Sequence, residues 1–185
     1  MPFKRQEATT TRNVFLVGLM GAGKTSVGKL LAKDLRSRFV DCDQEIERRT
    51  GVPISVIFDI EGEEGFRRRE TAVLRELVQL QGVVLATGGG AVVRPENREM
   101  LSKSGFVVYL RATVDELWQR TRHDRNRPLL ATGDPRQRLA ELFTQRDPLY
   151  CDVADITIDT GGQGLRTLVN QLEQRLREYV PQEPA

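Results

Sequence analysis

The stretch NVFLVGLMGAGKTSVGKLLA, residues 13–32, decides the fold. Its opening, Asn13–Gly18, is an apolar run closed by glycine and reads as a buried strand. From Lys24 to Arg36, Val27, Leu30, Leu31 and Leu35 recur at helical spacing. Between strand and helix, Gly18, Gly23, Lys24 and Thr25 satisfy the pattern G-x-x-x-x-G-K-S/T. A strand before that pattern and an amphipathic helix after it are the context of a phosphate cradle. Glycines let backbone N–H groups curl around an anion, and the helix N-terminus adds its positive end. The cradle is expected to hold ATP or GTP with Gly21, Ala22, Gly23, Lys24, Thr25 and Ser26. Lys24 would reach the β- and γ-phosphates, and the Thr25 hydroxyl would ligate Mg²⁺.

Outward from the cradle, short apolar runs alternate with amphipathic segments. Further strands are expected at Arg38–Asp43, Gly82–Gly90, Phe106–Leu110 and Ala154–Asp159. Helices are expected near Gln44–Arg49, in two pieces across Val52–Leu80 broken near Gly62–Gly65, and over Glu96–Ser102 and Val114–Arg122. Another carries RQRLAELFTQRDPLY, and Leu165, Leu168, Val169, Leu172 and Leu176 line the last. Interleaved strands and helices predict a three-layer α/β/α arrangement around a five-stranded parallel sheet. Apolar runs without alternation fit strands buried on both faces.

The 185 residues fit one domain. The expected layout is a flexible arm at 1–12, a single domain at 13–180 and a tail at 181–185. Arg122–Pro135 is long for a connection and reads as a mobile lid. A formal charge of +2 argues against bulk nucleic-acid binding, and no apolar run approaches the ~18–20 residues of a membrane span. The N-terminus lacks the apolar core of a secretory signal. Cys42 and Cys151 match no zinc spacing and fit a reducing, cytoplasmic setting. Cys42 is expected to be a buried thiol inside the second strand. A single histidine, His123, excludes a multi-histidine metal site.

Magnesium usually needs a carboxylate as well, and the run VVLAT ends without one. Asp41 and Asp43, after the second strand's FV, are the nearest acids. Strand alternation would turn both toward the ligand edge of the sheet, while the competing reading makes them a capping pair for the next helix. Three features bear on the phosphate acceptor. FRRRE (Phe66–Glu70) is either a carboxylate-gripping cluster or a solvated basic face. TGGGA (Thr87–Ala91) lets backbone approach a small ligand, or is a flexible turn. QRDPLY (Gln145–Tyr150) sets an arginine just before a proline-ended helix. Arginine grips planar carboxylates in a bidentate fork. Two arginines, two aspartates and a glycine wall suit a small anionic polyol.

The motifs GLMGAGKTSVGKLLA, DCD, FRRRE, TGGGA, RPLL and RDPLY stand in the order and spacing of shikimate kinases, and the chain resembles that family from Asn13 to Gln174. The resemblance implies a P-loop, nucleoside-monophosphate-kinase-like fold that transfers phosphate from ATP to shikimate, with Mg²⁺. It implies that Asp43 binds the ring hydroxyls near the one phosphorylated, either as general base or as orienter only. Arg67 and Arg146 would grip the substrate carboxylate, with Glu70 orienting the arginine. Gly88, Gly89 and Gly90 would line the shikimate pocket. Asp41 would support Mg²⁺ beside Thr25, Arg127 would reach the ATP phosphates from the lid, and Arg120 would stack on adenine. Lys24, Asp43 and Arg127 are thus the expected catalytic residues. The resemblance also implies a monomer whose partner is shikimate, while charge, apolar-run length and cysteine usage lead to the expectation of a cytoplasmic protein with neither nucleic acid nor membrane as partner. The stretch DTGGQG departs from the family in having no arginine where many relatives place one beside adenine.

Overall fold

The computed structural model describes residues 12–124, 128–131 and 133–179. At its centre β1 (Val14–Val17) is wholly buried. Four parallel strands join it: β2 (Arg38–Asp41), β3 (Val83–Ala86), β4 (Phe106–Arg111) and β5 (Ile156–Asp159). The spatial order is β2-β3-β1-β4-β5. Val14 pairs with Val84 on one side and with Phe106 on the other. The unbroken apolar runs VFLV and VVLA follow from this central position, because helices cover both faces.

One helical layer is α1 (Lys24–Asp34) against β2, β3 and α7 (Leu165–Glu178). The opposite layer holds α4 (Pro95–Ser104) and α6 (Pro135–Val153) on β4, with α5 (Val114–Thr121) packed against α6. Next to β2, α2 (Cys42–Thr50) and α3 (Ile54–Leu77) pack on one another. The chain leaves β1 toward β2 and leaves β3 toward β4, so the two crossovers fall on opposite faces. The loops after these neighbouring strands therefore part, and a crevice opens at their C-terminal ends. The phosphate cradle is one wall of it, and the triple glycine is the other. No helix among the described residues is long and apolar enough to cross a membrane.

Three local expectations change. β2 stops at Asp41 and Cys42 opens α2, so Cys42 is not inside a strand. The reason is a cap: Asp41 Oδ1 accepts from the N–H of Asp43 (3.0 Å) and of Gln44 (3.2 Å). Asp43 consequently sits in the first turn of a helix, and strand alternation does not set its direction. Third, α6 does not end at its proline but continues through Pro148 to Val153. Pro148 withholds one N–H from the ladder, while buried Leu139, Leu142, Tyr150 and Val153 hold the helix on both sides of it. The expected break in α3 is present, at Gly62 (φ 68°, ψ −178°).

Candidate active site

Gly18 leaves β1 at φ 147°, and a Cβ there would lie 2.5 Å from the Leu110 carbonyl oxygen. Gly23 caps α1 in the left-handed region at φ 96°. The Lys24 ammonium folds back onto the carbonyls of Gly18 (2.6 Å) and Leu19 (3.0 Å). Thr25 donates its hydroxyl proton to Asp41 Oδ2 at 2.9 Å. Asp41 is therefore both helix cap and Thr25 partner, with one oxygen on each task. Gly21, Gly23, Lys24, Thr25, Ser26 and Asp41 all face a cavity of about 250 Å³. Ala22 differs, being buried with its N–H donated to the Leu19 carbonyl at 3.1 Å. Arg120 of α5 ties the cradle to the end of β5, donating to Gly21 O and to Thr160 Oγ1, each at 3.1 Å.

A second cavity of about 580 Å³ adjoins the first, sharing Thr25, Asp41 and Asp43 with it. Arg67, Glu70, Gly88, Gly89, Gly90 and Arg146 line it, so the fold gathers residues far apart in sequence. Side-chain exposure separates the three successive arginines. Arg67 is 5% exposed, whereas Arg68 and Arg69 are 63% and 46% exposed and pair with surface glutamates. Arg67 Nη1 donates to Glu70 Oε2 at 2.8 Å, and Nη2 to Glu63 Oε1 at 3.1 Å. Arg146 is equally buried but has no carboxylate within ion-pair distance among the described residues. Burial, together with the nearby Arg67 charge, pushes its guanidinium pKa down.

Six buried side-chain atoms among the described residues lack a hydrogen-bond partner, and four belong here: Asp43 Oδ1, Arg67 Nε, Glu70 Oε1 and Arg146 Nη1. Buried polar groups are rarely left so. Four such groups on residues that line one cavity mark it as a place for a polar ligand, and the two arginines among them favour an anionic group on it. Burial raises the Asp43 carboxyl to about 7, reinforced by Glu70 and Asp41 and opposed by Lys24 and Arg67. Burial likewise raises Glu70 against the pull of Arg67.

The triple glycine has a reason the sequence does not display. A Cβ on Gly88 would lie 2.5 Å from Glu70 Oε1 and 2.8 Å from Asp43 Oδ1. On Gly90 it would overlap the Arg67 guanidinium at 2.1–2.4 Å. Two of the three glycines thus make room for the protein's own charged side chains. Sequence reasoning missed the aromatic pair Phe58 and Phe66, which line the cavity with ring centroids 4.8 Å apart. It also missed Tyr150, whose hydroxyl donates to the Gly89 carbonyl. The i+4 spacing from Arg146 was the available clue to it. Arg127 lies outside the described residues. A third cavity, of about 340 Å³, lies between α2 and α3, with Ile46, Val52, Val56, Ile57 and Ile60 among its apolar lining. It carries none of these unpaired groups.

A family model described as shikimate kinase matches residues 20–177. The shikimate kinase of Nitrosospira multiformis is 58% identical over 92% of this chain and 87% of its own length. That of Thiobacillus denitrificans is 56% identical over 94% of this chain and 97% of its own. Among solved structures, shikimate kinase from Acinetobacter baumannii in complex with shikimate matches with a TM-score of 0.90 and 50% identity, covering 91% of this chain and 94% of that one. The family model covers most of the chain, and the chain belongs to the shikimate kinase family.

Proposed function

We propose that the chain binds ATP in the smaller cavity and shikimate in the larger, and transfers the γ-phosphoryl group to the 3-hydroxyl. The products are ADP and shikimate 3-phosphate, a step of the shikimate pathway to aromatic amino acids. The observation that carries the acceptor reading is the pair of buried guanidiniums with unpaired N–H groups, Arg67 and Arg146, on the cavity next to the cradle. Their mutual repulsion is relieved by a carboxylate between them, and shikimate carries one. The ring hydroxyls then fall to Asp43, whose free oxygen accepts a hydrogen bond and whose pKa near neutrality suits it to take the proton as the new P–O bond forms.

Transfer proceeds by in-line attack of the shikimate oxygen on the γ-phosphorus as the bond to the bridging oxygen of ADP breaks. Lys24 leaves the loop carbonyls for the β- and γ-phosphates, and Arg127 joins it from the lid. Positioning and charge neutralisation supply most of the acceleration. Thr25 and Asp41 fit a Mg²⁺ site, since both offer oxygen, the donor this cation takes. Asp41 Oδ1 is committed to the helix cap, leaving Oδ2 to act directly or through water. When bound, the ion screens the phosphate charge. Arg120, already beside the cradle, takes the adenine. The same reading expects a monomer in the cytoplasm.

An ADP-release assay against shikimate, gluconate and nucleoside monophosphates tests the reading, with turnover expected for shikimate alone. Equal turnover of gluconate would reject it. In the same assay Arg67→Lys or Arg146→Lys should weaken shikimate binding by about 1.5–3 kcal/mol, the range for charged hydrogen bonds. Arg68→Lys should change it little.

A further inference from the structure

Arg146 and Tyr150 stand four residues apart on α6, so their side chains share one face of the helix. Both are buried, Tyr150 completely. Arg67 is oriented by two carboxylates, Glu70 and Glu63. Arg146 has none within ion-pair distance among the described residues, yet a buried arginine needs something to fix its planar fork. The nearby group is the Tyr150 phenol. Its proton goes to the Gly89 carbonyl, so its oxygen keeps lone pairs to offer, and Arg146 stands one helical turn before it on the same face of α6. The ring itself is clamped. It lies on Tyr109 of β4 with centroids 4.9 Å apart, and the Tyr109 hydroxyl donates to Asp147 Oδ1 at 2.7 Å. Asp147 in turn accepts from Arg111 Nε at 2.9 Å. One hydroxyl, anchored on the central sheet, is thus bonded to the middle of the glycine loop one helical turn from a cavity-lining guanidinium.

We propose that Tyr150 is a positioning residue for the acceptor, its hydroxyl setting the orientation of Arg146 and the placement of the Gly89 peptide together. The carboxylate grip and the glycine wall are then aligned by the same oxygen. Phenylalanine at this position keeps the ring contact with Tyr109 and removes only that oxygen. It would leave the Gly89 carbonyl without its donor and Arg146 without its guide. The inference rests on the reading of the larger cavity as the shikimate site.

The test is a double-mutant cycle of Tyr150→Phe and Arg146→Lys, followed by calorimetric titration with shikimate and with ATP, and by steady-state kinetics. Tyr150→Phe should raise the Kd and KM for shikimate roughly tenfold, the scale of one hydrogen bond to a charged group. It should leave kcat and the KM for ATP within about twofold, since uniform binding is what is lost. In the Arg146→Lys background it should add little, because residues that act through one another are non-additive. Unchanged shikimate affinity, an equal loss for ATP, or full additivity with Arg146→Lys would overturn the proposal. So would a fall in melting temperature of more than ~10 °C, which would assign the hydroxyl to folding. Failure of the unmutated protein to bind shikimate would instead reject the functional reading, before any variant is compared.

Discussion

Gly90 lies against the guanidinium it admits, with no room for a methyl group between them. Gly90→Ala should therefore displace Arg67 rather than strain the backbone. Arg67 is held by Glu70 and Glu63, so the displaced fork would also loosen a buried ion pair. Shikimate affinity should fall roughly tenfold or more, as for loss of a charged hydrogen bond, while ATP affinity stays nearly constant. Parallel titrations with the two ligands check this, and equal losses for both would contradict it. Asp43 offers a second test at the same scale. Its folded pKa of about 7 stands above the ordinary 3.8, so the folded chain binds this proton more tightly than the unfolded one. That contribution to stability is full below the unfolded pKa and is lost as pH rises through about 7. Asp43→Asn is neutral at every pH and escapes the loss. Without nucleotide or Mg²⁺, it should melt about 2–6 °C above the parent at pH 8, with the gap closing toward pH 4. Turnover should drop by at least about a hundredfold, the lower range for losing a positioned proton acceptor. A melting difference independent of pH would show that the Asp43 charge carries no such cost.

The helices that shape the acceptor cavity are set by single breaks and caps. Gly62 holds φ 68° and ψ −178°, a region that only glycine occupies without strain. The break redirects α3, so that Ile54 and Phe58 before it and Phe66 and Arg67 after it line one cavity. Gly62→Ala should cost about 1–3 kcal/mol in denaturant unfolding and raise the KM for shikimate more than that for ATP. Stability unchanged from the parent would mean that α3 can continue straight without harm. Much at this scale was legible in the sequence because its cause is local. The cradle needs only a strand, spaced glycines and a helix start, and a Gly-Glu-Glu-Gly run interrupts an otherwise helical pattern. The end of β2 was not legible, because Asp41 reads equally well as a strand residue and as a cap until Thr25 is placed beside it. The order of the strands, with β3 inserted between β2 and β1, depends on pairings that no single segment encodes. Tyr150 was hidden for the same reason: its partner Gly89 is 61 residues away.

Across the whole molecule, the two cavities meet along Thr25, Asp41 and Asp43, and transfer requires that water be kept from the meeting point. The proposed lid for this is the segment 122–135, which joins α5 to α6 in sequence. Its far end is fixed, since Asp134 caps α6 by accepting from the Gln137 N–H at 3.0 Å. Leu130 is buried in the core, while Pro128, Leu129 and Asp124 line the acceptor cavity. The turn Pro128–Leu130 is thus held by buried Leu130 and by half-buried Leu129, and it presents Pro128 and Leu129 to the cavity. Segments with few buried contacts open at low free-energy cost, far below that of central strands. Amides of Leu129 and Ala131 should therefore exchange much faster than those of β1 and β3 in the empty protein. With shikimate and a non-hydrolysable ATP analogue both bound, their protection should rise by roughly tenfold or more as closure adds contacts. Arg127, adjoining this turn in sequence, would be carried toward the phosphates by the same movement. Arg127→Ala should accordingly lower kcat far more than it weakens shikimate binding, since its contact forms only around the transferring group. Hydrogen-exchange mass spectrometry and steady-state kinetics on that variant decide the matter. Exchange unaltered in the ternary complex, or normal turnover in Arg127→Ala, would leave the crevice to work without a lid.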